Sequence, residues 1–196
     1  MTSPNNQSDG ATVLVVDDEG DIADLYSTWL QGEYEVHTAY GPQEALAHAD
    51  EAVDVVFLDR QMPRMTGDEV LEELRERELG CRVVMVTAVD PDFDIVDMPF
   101  DDYLTKPVML DDLRDAADRM RTRDAYGTQM QDFFAKASKK AALEAEKDYV
   151  ELQEHEEYEQ LDAEVQQLRQ EADQAVDDLS EAEDFEALFQ EFPGDA

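Results

Sequence analysis

The chain has 196 residues, 51 acidic against 15 basic side chains, a net charge of −36 and 42% hydrophobic content. That length allows one domain of ordinary size plus a smaller appendage, and the hydrophobic share excludes an acidic chain that is disordered throughout. No apolar run is long enough to cross a bilayer, and the single cysteine, Cys81, excludes an internal disulfide.

Residues 1 to 9 are polar, lack the basic start and apolar core of a signal peptide, and are expected to be disordered, so the chain is expected in the cytoplasm. Strands are predicted at TVLVV (12 to 16), YEVHTA (34 to 39), DVVFLD (54 to 59), RVVMVT (82 to 87) and, shorter, DDYLT (101 to 105). DIADLYSTWLQ, PQEALAHA and TGDEVLEELRERE between them have helical spacing, and LDDLRDAADRMRTR follows the last. Five successive βα units predict an α/β fold, a doubly wound five-stranded parallel sheet with helices on both faces, over residues 10 to 123.

In such folds the working site lies beyond the carboxyl ends of the strands. The first strand ends in Asp17, Asp18 and Glu19, the third in Asp59, the fourth in Thr87, and the fifth runs into Lys106 and Pro107. Converging carboxylates repel unless a cation is present, and hard oxygen ligands with room for water suit Mg²⁺. Lys106, the only lysine among the first 135 residues, supplies a second positive charge. Between Thr87 and Lys106 the segment AVDPDFDIVDMPFDDYLT holds Pro91 and Pro99, so the helix expected there should be short or irregular.

From about residue 122 strand signals stop. Residues 124 to 179 read as a helical module, within which Tyr158, Leu161, Val165, Leu168, Ala172, Ala175 and Leu179 advance by alternating threes and fours. This phase does not extend through Leu143, Tyr149 and Leu152, which leaves two helices or one helix with a phase shift. Packing within the chain competes evenly with formation of a homodimer through this seam. In residues 180 to 196, Ser180 caps a short amphipathic helix whose Phe185, Leu188, Phe189 and Phe192 share one face, before a Pro193-Gly194 stop. That face either folds back on the module or serves as an output surface for a partner; an acidic polar side argues against membrane insertion. His37, His48 and His155 lack metal-ligand spacing and read as structural.

Residues 10 to about 123 resemble the receiver domain of two-component response regulators. The resemblance rests on Asp17-Asp18, the run Asp59 to Pro63, Gly67, Thr87-Ala88, and Tyr103 followed three residues later by Lys106-Pro107. It implies that Asp59 accepts a phosphoryl group from a phosphohistidine of a sensor histidine kinase, with Mg²⁺ as cofactor. Asp18 and Asp59 would bind the metal directly, with the backbone carbonyl of Gln61, and Asp17 through water. Lys106 and the Thr87 hydroxyl would neutralise the phosphoryl oxygens, Ala88 would leave them room, and Thr87 with Tyr103 would form the switch. The Lys106-Pro107 bond would be cis. An independent phosphatase or phosphotransferase would need a further acid near Asp59, and DRQMP offers none.

The stretch FFAKASKKAALEAEKDY (133 to 149) is similar to the HalX domain found behind receivers in haloarchaeal regulators, and the acidic, lysine-poor composition is similar to that of proteins from a salt-rich cytosol. Residues 124 to 196 carry 5 basic and 22 acidic side chains, a field that repels nucleic acid and favours an unknown protein effector. Lys136, Lys139, Lys140 and Lys147 form a local basic face that keeps DNA binding as the alternative, although pairing with Glu144, Glu146, Asp148 or receiver acids would also explain them.

Overall fold

The computed structural model describes residues 11–124 and 128–181. Five strands, β1 (Thr12–Val16), β2 (Glu35–Ala39), β3 (Val55–Leu58), β4 (Arg82–Thr87) and β5 (Asp102–Thr105), form one parallel sheet in the order β2-β1-β3-β4-β5. Helices α1 (Gly20–Leu30), α2 (Pro42–His48) and α3 (Gly67–Glu76) connect the first four strands, and α4 (Leu110–Asp124) follows the fifth. Beyond them come α5 (Thr128–Glu146), α6 (Tyr149–Gln153) and α7 (Glu156–Glu181). Strand order reverses at β1, whose neighbours are β2 and β3, and opens a crevice at the carboxyl ends of β1 and β3.

Alternation along the strands sends two sets of side chains to two cores. Val13 and Val15 of β1 join Phe57, Val84 and Val86, and are covered by Tyr26 and Leu30 of α1 and by Leu113, Ala116 and Met120 of α4. Leu14 and Val16 join Val56, Leu58, Val83 and Met85 on the opposite face, under Ala45 of α2 and Val70, Leu71 and Leu74 of α3. Each fully buried branched side chain contributes about 1.5–3 kcal/mol. Local signals agree: Thr66 caps α3, accepting from Glu69 N at 3.2 Å while the Glu69 carboxylate accepts from Thr66 N at 2.8 Å.

Between β4 and β5, Pro91 and Pro99 bracket a single 3-10 turn at Phe93–Ile95, the irregular segment that the prolines predict. No α-helix of that crossover covers β4 and β5 on the second face. α5 does so instead, lying against β5 with α7 packed on it: Leu143 of α5, Leu152 of α6 and Tyr158 and Leu161 of α7 lie buried in the same cluster as Met85, Ile95, Phe100 and Tyr103. The apolar seam therefore begins by packing inside the chain, as part of a second helix paired with α5. The Lys106-Pro107 peptide is cis, as the resemblance implies. Residues 1 to 9 and the aromatic face of Phe185, Leu188, Phe189 and Phe192 lie outside the described residues. Among those described, no helix is long and apolar enough to cross a membrane.

Candidate functional site

Parallel pairing of β1, β3, β4 and β5 brings the sequence-predicted residues to one edge. The Asp59 amide still bonds the Val16 carbonyl at 2.9 Å, one residue past the end of β3, so its side chain enters the crevice beside Asp17 and Asp18. Carboxylate oxygens of these three residues lie within 4.8 Å of one another. Asp17 and Asp59 are buried and Asp18 is exposed, which leaves the cluster open to solvent on one side.

Lys106 closes the other side. Its backbone N–H donates to the Thr87 carbonyl at 2.8 Å, and its ammonium donates to Asp17 Oδ2 at 2.6 Å while standing 3.2 Å from Asp59 Oδ1. Burial opposes the charge on Lys106, but the hydrogen bond to Asp17 and the Asp59 carboxylate outweigh it and hold the lysine above its ordinary value. Asp59 is also raised: burial pushes it up, Lys106 pulls it down and Asp17 adds repulsion. One ammonium among three carboxylates leaves the crevice negative, and its donors are all hard oxygens, so the residues present fit a divalent cation such as Mg²⁺.

Thr87 is fully buried at the end of β4, with its hydroxyl near enough to Asp59 to pull that carboxyl down slightly, and it accepts from Val89 N at 3.3 Å. Val89 is held from its other side too, since the Tyr103 hydroxyl donates to its carbonyl at 2.7 Å. Ala88 and Gln61 are exposed at the rim, and the Gln61 amide donates to Asp59 Oδ2 at 3.1 Å. Gly67 allows the start of α3 to close on this edge: its amide bonds the Arg60 carbonyl at 2.8 Å, and a Cβ there would lie 2.2 Å from the Asp59 carbonyl oxygen.

Arg60 is the residue that sequence reasoning missed. It is buried, pairs with Asp68 through Nε at 3.0 Å and Nη2 at 3.1 Å, and also bonds Asp94, with the Tyr103 phenol nearby. Its guanidinium ties α3 to the 3-10 turn. An arginine directly after Asp59 is the only sequence signal for it, because Asp94 is 34 residues away.

The helical-module lysines are all engaged. Lys140 pairs with Glu144, as expected, and Lys147 reaches Asp92 of the β4–β5 crossover at 3.2 Å and Glu151 of α6 at 3.0 Å. Lys136 crosses to Glu164 on α7, and Asp148 caps α6 by accepting from Val150 N and Glu151 N. Lys139 is buried, donates to the Val96 carbonyl at 2.8 Å and stands 5.1 Å above the Phe100 ring. Burial, with repulsion from Lys136, pushes it down to about 8.

Comparison with known proteins matches the response regulator receiver domain over residues 13–118 and the HalX domain over 122–189. A Haloferax volcanii protein named "Putative transcriptional regulator" is 46% identical over 175 residues, 89% of this chain and 30% of its own length. The "Alkaline phosphatase synthesis transcriptional regulatory protein PhoP" of Bacillus subtilis is 41% identical over 100 residues, 48% of this chain and 42% of its own length. The chain thus spans less than half the length of either relative. Among solved structures, a receiver domain protein of Methanospirillum hungatei superposes with a TM-score of 0.54 at 27% identity, covering 60% of this chain and 99% of that one. The Thermotoga maritima response regulator TrrA, solved with Mg²⁺ and beryllofluoride, gives 0.51 at 32% identity, covering 56% of this chain and 98% of its own. The five-stranded parallel sheet, the carboxylate cluster and both domain matches agree: the chain belongs to the response regulator receiver family and carries a HalX domain behind its receiver.

Proposed function

We propose that this chain is the response regulator of a two-component phosphorelay, phosphorylated on Asp59 by a sensor histidine kinase. The carrying observation is Asp59, set between Lys106 and the Thr87 hydroxyl with Asp17 and Asp18 at ligand distance. A carboxylate oxygen of Asp59 attacks the phosphorus of a phosphohistidine; the new P–O bond forms as the P–N bond breaks, and the imidazole leaves with its electron pair. Lys106 and Thr87 would meet the phosphoryl oxygens, which supports a transfer that depends on positioning and charge neutralisation. Mg²⁺, held by Asp18, Asp59 and the Gln61 carbonyl, with Asp17 through water, would supply further neutralisation of those oxygens. Receivers of this family are phosphorylated by histidine kinases, and they act on themselves without turning over an external substrate. Incubation with acetyl phosphate and Mg²⁺ should give acid-labile phosphate in the parent and none above background in Asp59→Asn; equal labelling of both would end this assignment.

For the output, we infer that HalX engages a protein effector. Lys136, Lys140 and Lys147 are paired with carboxylates and Lys139 is buried, which leaves little free positive charge for a phosphate backbone. The second reading, DNA binding, is favoured by the name of the Haloferax relative. Gel shifts and a crosslinked pull-down in molar KCl separate the two: sequence-specific DNA recovery lost in a Lys139→Gln/Lys140→Gln variant would favour DNA.

A further inference from the structure

Where α5 of HalX docks on the receiver, the two domains border a cavity of about 480 Å³, the size of a small-ligand site, at the opposite edge of the sheet from Asp59. Arg75 and Arg82 line it from the receiver and Lys136 and Lys139 from α5, against two acids, Asp101 and the exposed Asp132. In a chain of 51 acidic and 15 basic residues, this local excess of positive charge reverses the balance of the whole. The arginines have a structural use: Arg75 donates to the carbonyls of Pro99 and Cys81 at 3.0 and 2.8 Å, and both arginines pair with Asp101. Lys136 pairs with Glu164 on α7. Lys139 differs. It is buried, and among the described residues no carboxylate pairs with it; of its three N–H bonds one meets an acceptor there, the Val96 carbonyl. Lys136, one turn earlier, repels it, and Asp97, Asp101 and Glu164 attract it too weakly to offset burial.

We infer that this cavity binds a small anion bearing a carboxylate or phosphate group, with Lys139 as its principal ligand and Lys136 as the second charge. The inference is independent of phosphorylation at Asp59. An oxyanion beside Lys139 supplies the acceptors and the negative charge that the surrounding side chains do not, and a charge-assisted bond in a desolvated setting is stronger than one at the surface. Leu79, Pro99 and Phe100 give the same wall an apolar part, so an organic body behind the charged head is accommodated. The anion would touch residues of both domains and would favour their docked arrangement by mass action. Burial and Lys136 push the Lys139 ammonium down to about 8, and the anion needs the charged form. Binding is therefore strongest below pH 8 and weakens as pH rises, while the bound anion in turn holds the proton on Lys139.

The test uses the full chain in molar KCl without Mg²⁺, with succinate and inorganic phosphate as probes and added KCl of equal ionic strength as the control. Titration calorimetry reports binding, and NMR of lysine labelled at the ε-carbon reports the protonation of Lys139 among only five lysines. Succinate, whose own charge is constant above pH 7, should bind about fivefold or more weakly at pH 9 than at pH 7, because the protonated fraction of Lys139 falls. At saturation it should raise the proton affinity of Lys139 about tenfold or more. Lys139→Met should abolish binding, and Lys136→Met, at a partly exposed position, should weaken it. Lys140→Met should bind as the parent does, since that lysine faces Glu144 and Asp162 instead. A response to one probe alone supports the inference and identifies the head group that the site takes. No saturable binding of either probe beyond the KCl control, or binding retained in Lys139→Met, overturns it.

Discussion

Two buried lysines, Lys106 at the carboxyl edge of the sheet and Lys139 at the HalX dock, have opposite electrostatic fates. Lys106 is desolvated but faces Asp17 and Asp59, and its charge is held beyond the ordinary lysine range. Lys139 is desolvated against a neutral carbonyl and an aromatic face, and it falls to about 8. Burial disfavours both charges, and the presence of a carboxylate partner decides the sign of the net shift. The edge is thus organised around charge, whereas the dock is organised around packing, with a cation included at a cost.

Removing each charge while keeping its stem should separate the two. Lys106→Met leaves Asp17 and Asp59 facing each other without compensation and should destabilise the fold by about 3–5 kcal/mol in denaturant titrations at molar KCl without metal. Added Mg²⁺ should recover more stability in this variant than in the parent, since the cation would take over the neutralising role. Equal recovery would mean that Lys106 and the metal site act independently.

The edge is also fixed by backbone, and Gly67→Ala tests that. Its Cβ would meet the Asp59 carbonyl oxygen at 2.2 Å, where no rotamer change gives relief, so a loss of roughly 3 kcal/mol is expected. Gly80, where an added Cβ would meet nothing within 4 Å, is the control: Gly80→Ala should change stability by about 0.5 kcal/mol or less.

The smallest expected effect is at the dock. Lys139→Met should be neutral or stabilising by about 1 kcal/mol, because it removes a desolvated ammonium and retains the aliphatic contact. Lys139 is lowered from 10.5 to about 8 on folding. Between those values the unfolded chain binds the extra proton, so its contribution makes the fold more stable as pH rises through 8 and levels off near 10.5; below 8 the full penalty remains. Lys136, Asp97, Asp101 and Glu164 face the same ammonium, so the comparison is between parent and Lys139→Met from pH 7 to 9.5. A parallel pH dependence in both would place the titration elsewhere.

The edge was legible in the sequence and the dock was not, for physical reasons. Period-two apolar runs ending in Asp17, Asp59, Thr87 and Lys106 mark where parallel strands must deliver polar groups, and Thr66 with Glu69 marks the start of α3 through a local capping box. Pro91 and Pro99 likewise announced the irregular crossover. A helical stripe such as Tyr158, Leu161 and Val165, by contrast, says which face is apolar and not what covers it, so its packing with α5 into the cluster that holds Met85 and Phe100 had no local signature. The same holds for Lys139, which at its spacing read as a partner for acid and instead bonds the Val96 carbonyl 43 residues away. Arg60 was hidden because its value lies in two partners, Asp68 on α3 and Asp94 in the crossover, that are far apart in the sequence.

The central claim is that Asp59 accepts the phosphoryl group, and reductive trapping tests it most directly. After incubation with acetyl phosphate and Mg²⁺ in molar KCl, borohydride reduces an aspartyl phosphate to homoserine, which peptide mass spectrometry locates. The account predicts conversion at Asp59 alone, dependent on Mg²⁺ and abolished by chelation. Conversion at Asp17 or Asp18, or none at Asp59 under conditions where the chain is folded, would contradict it.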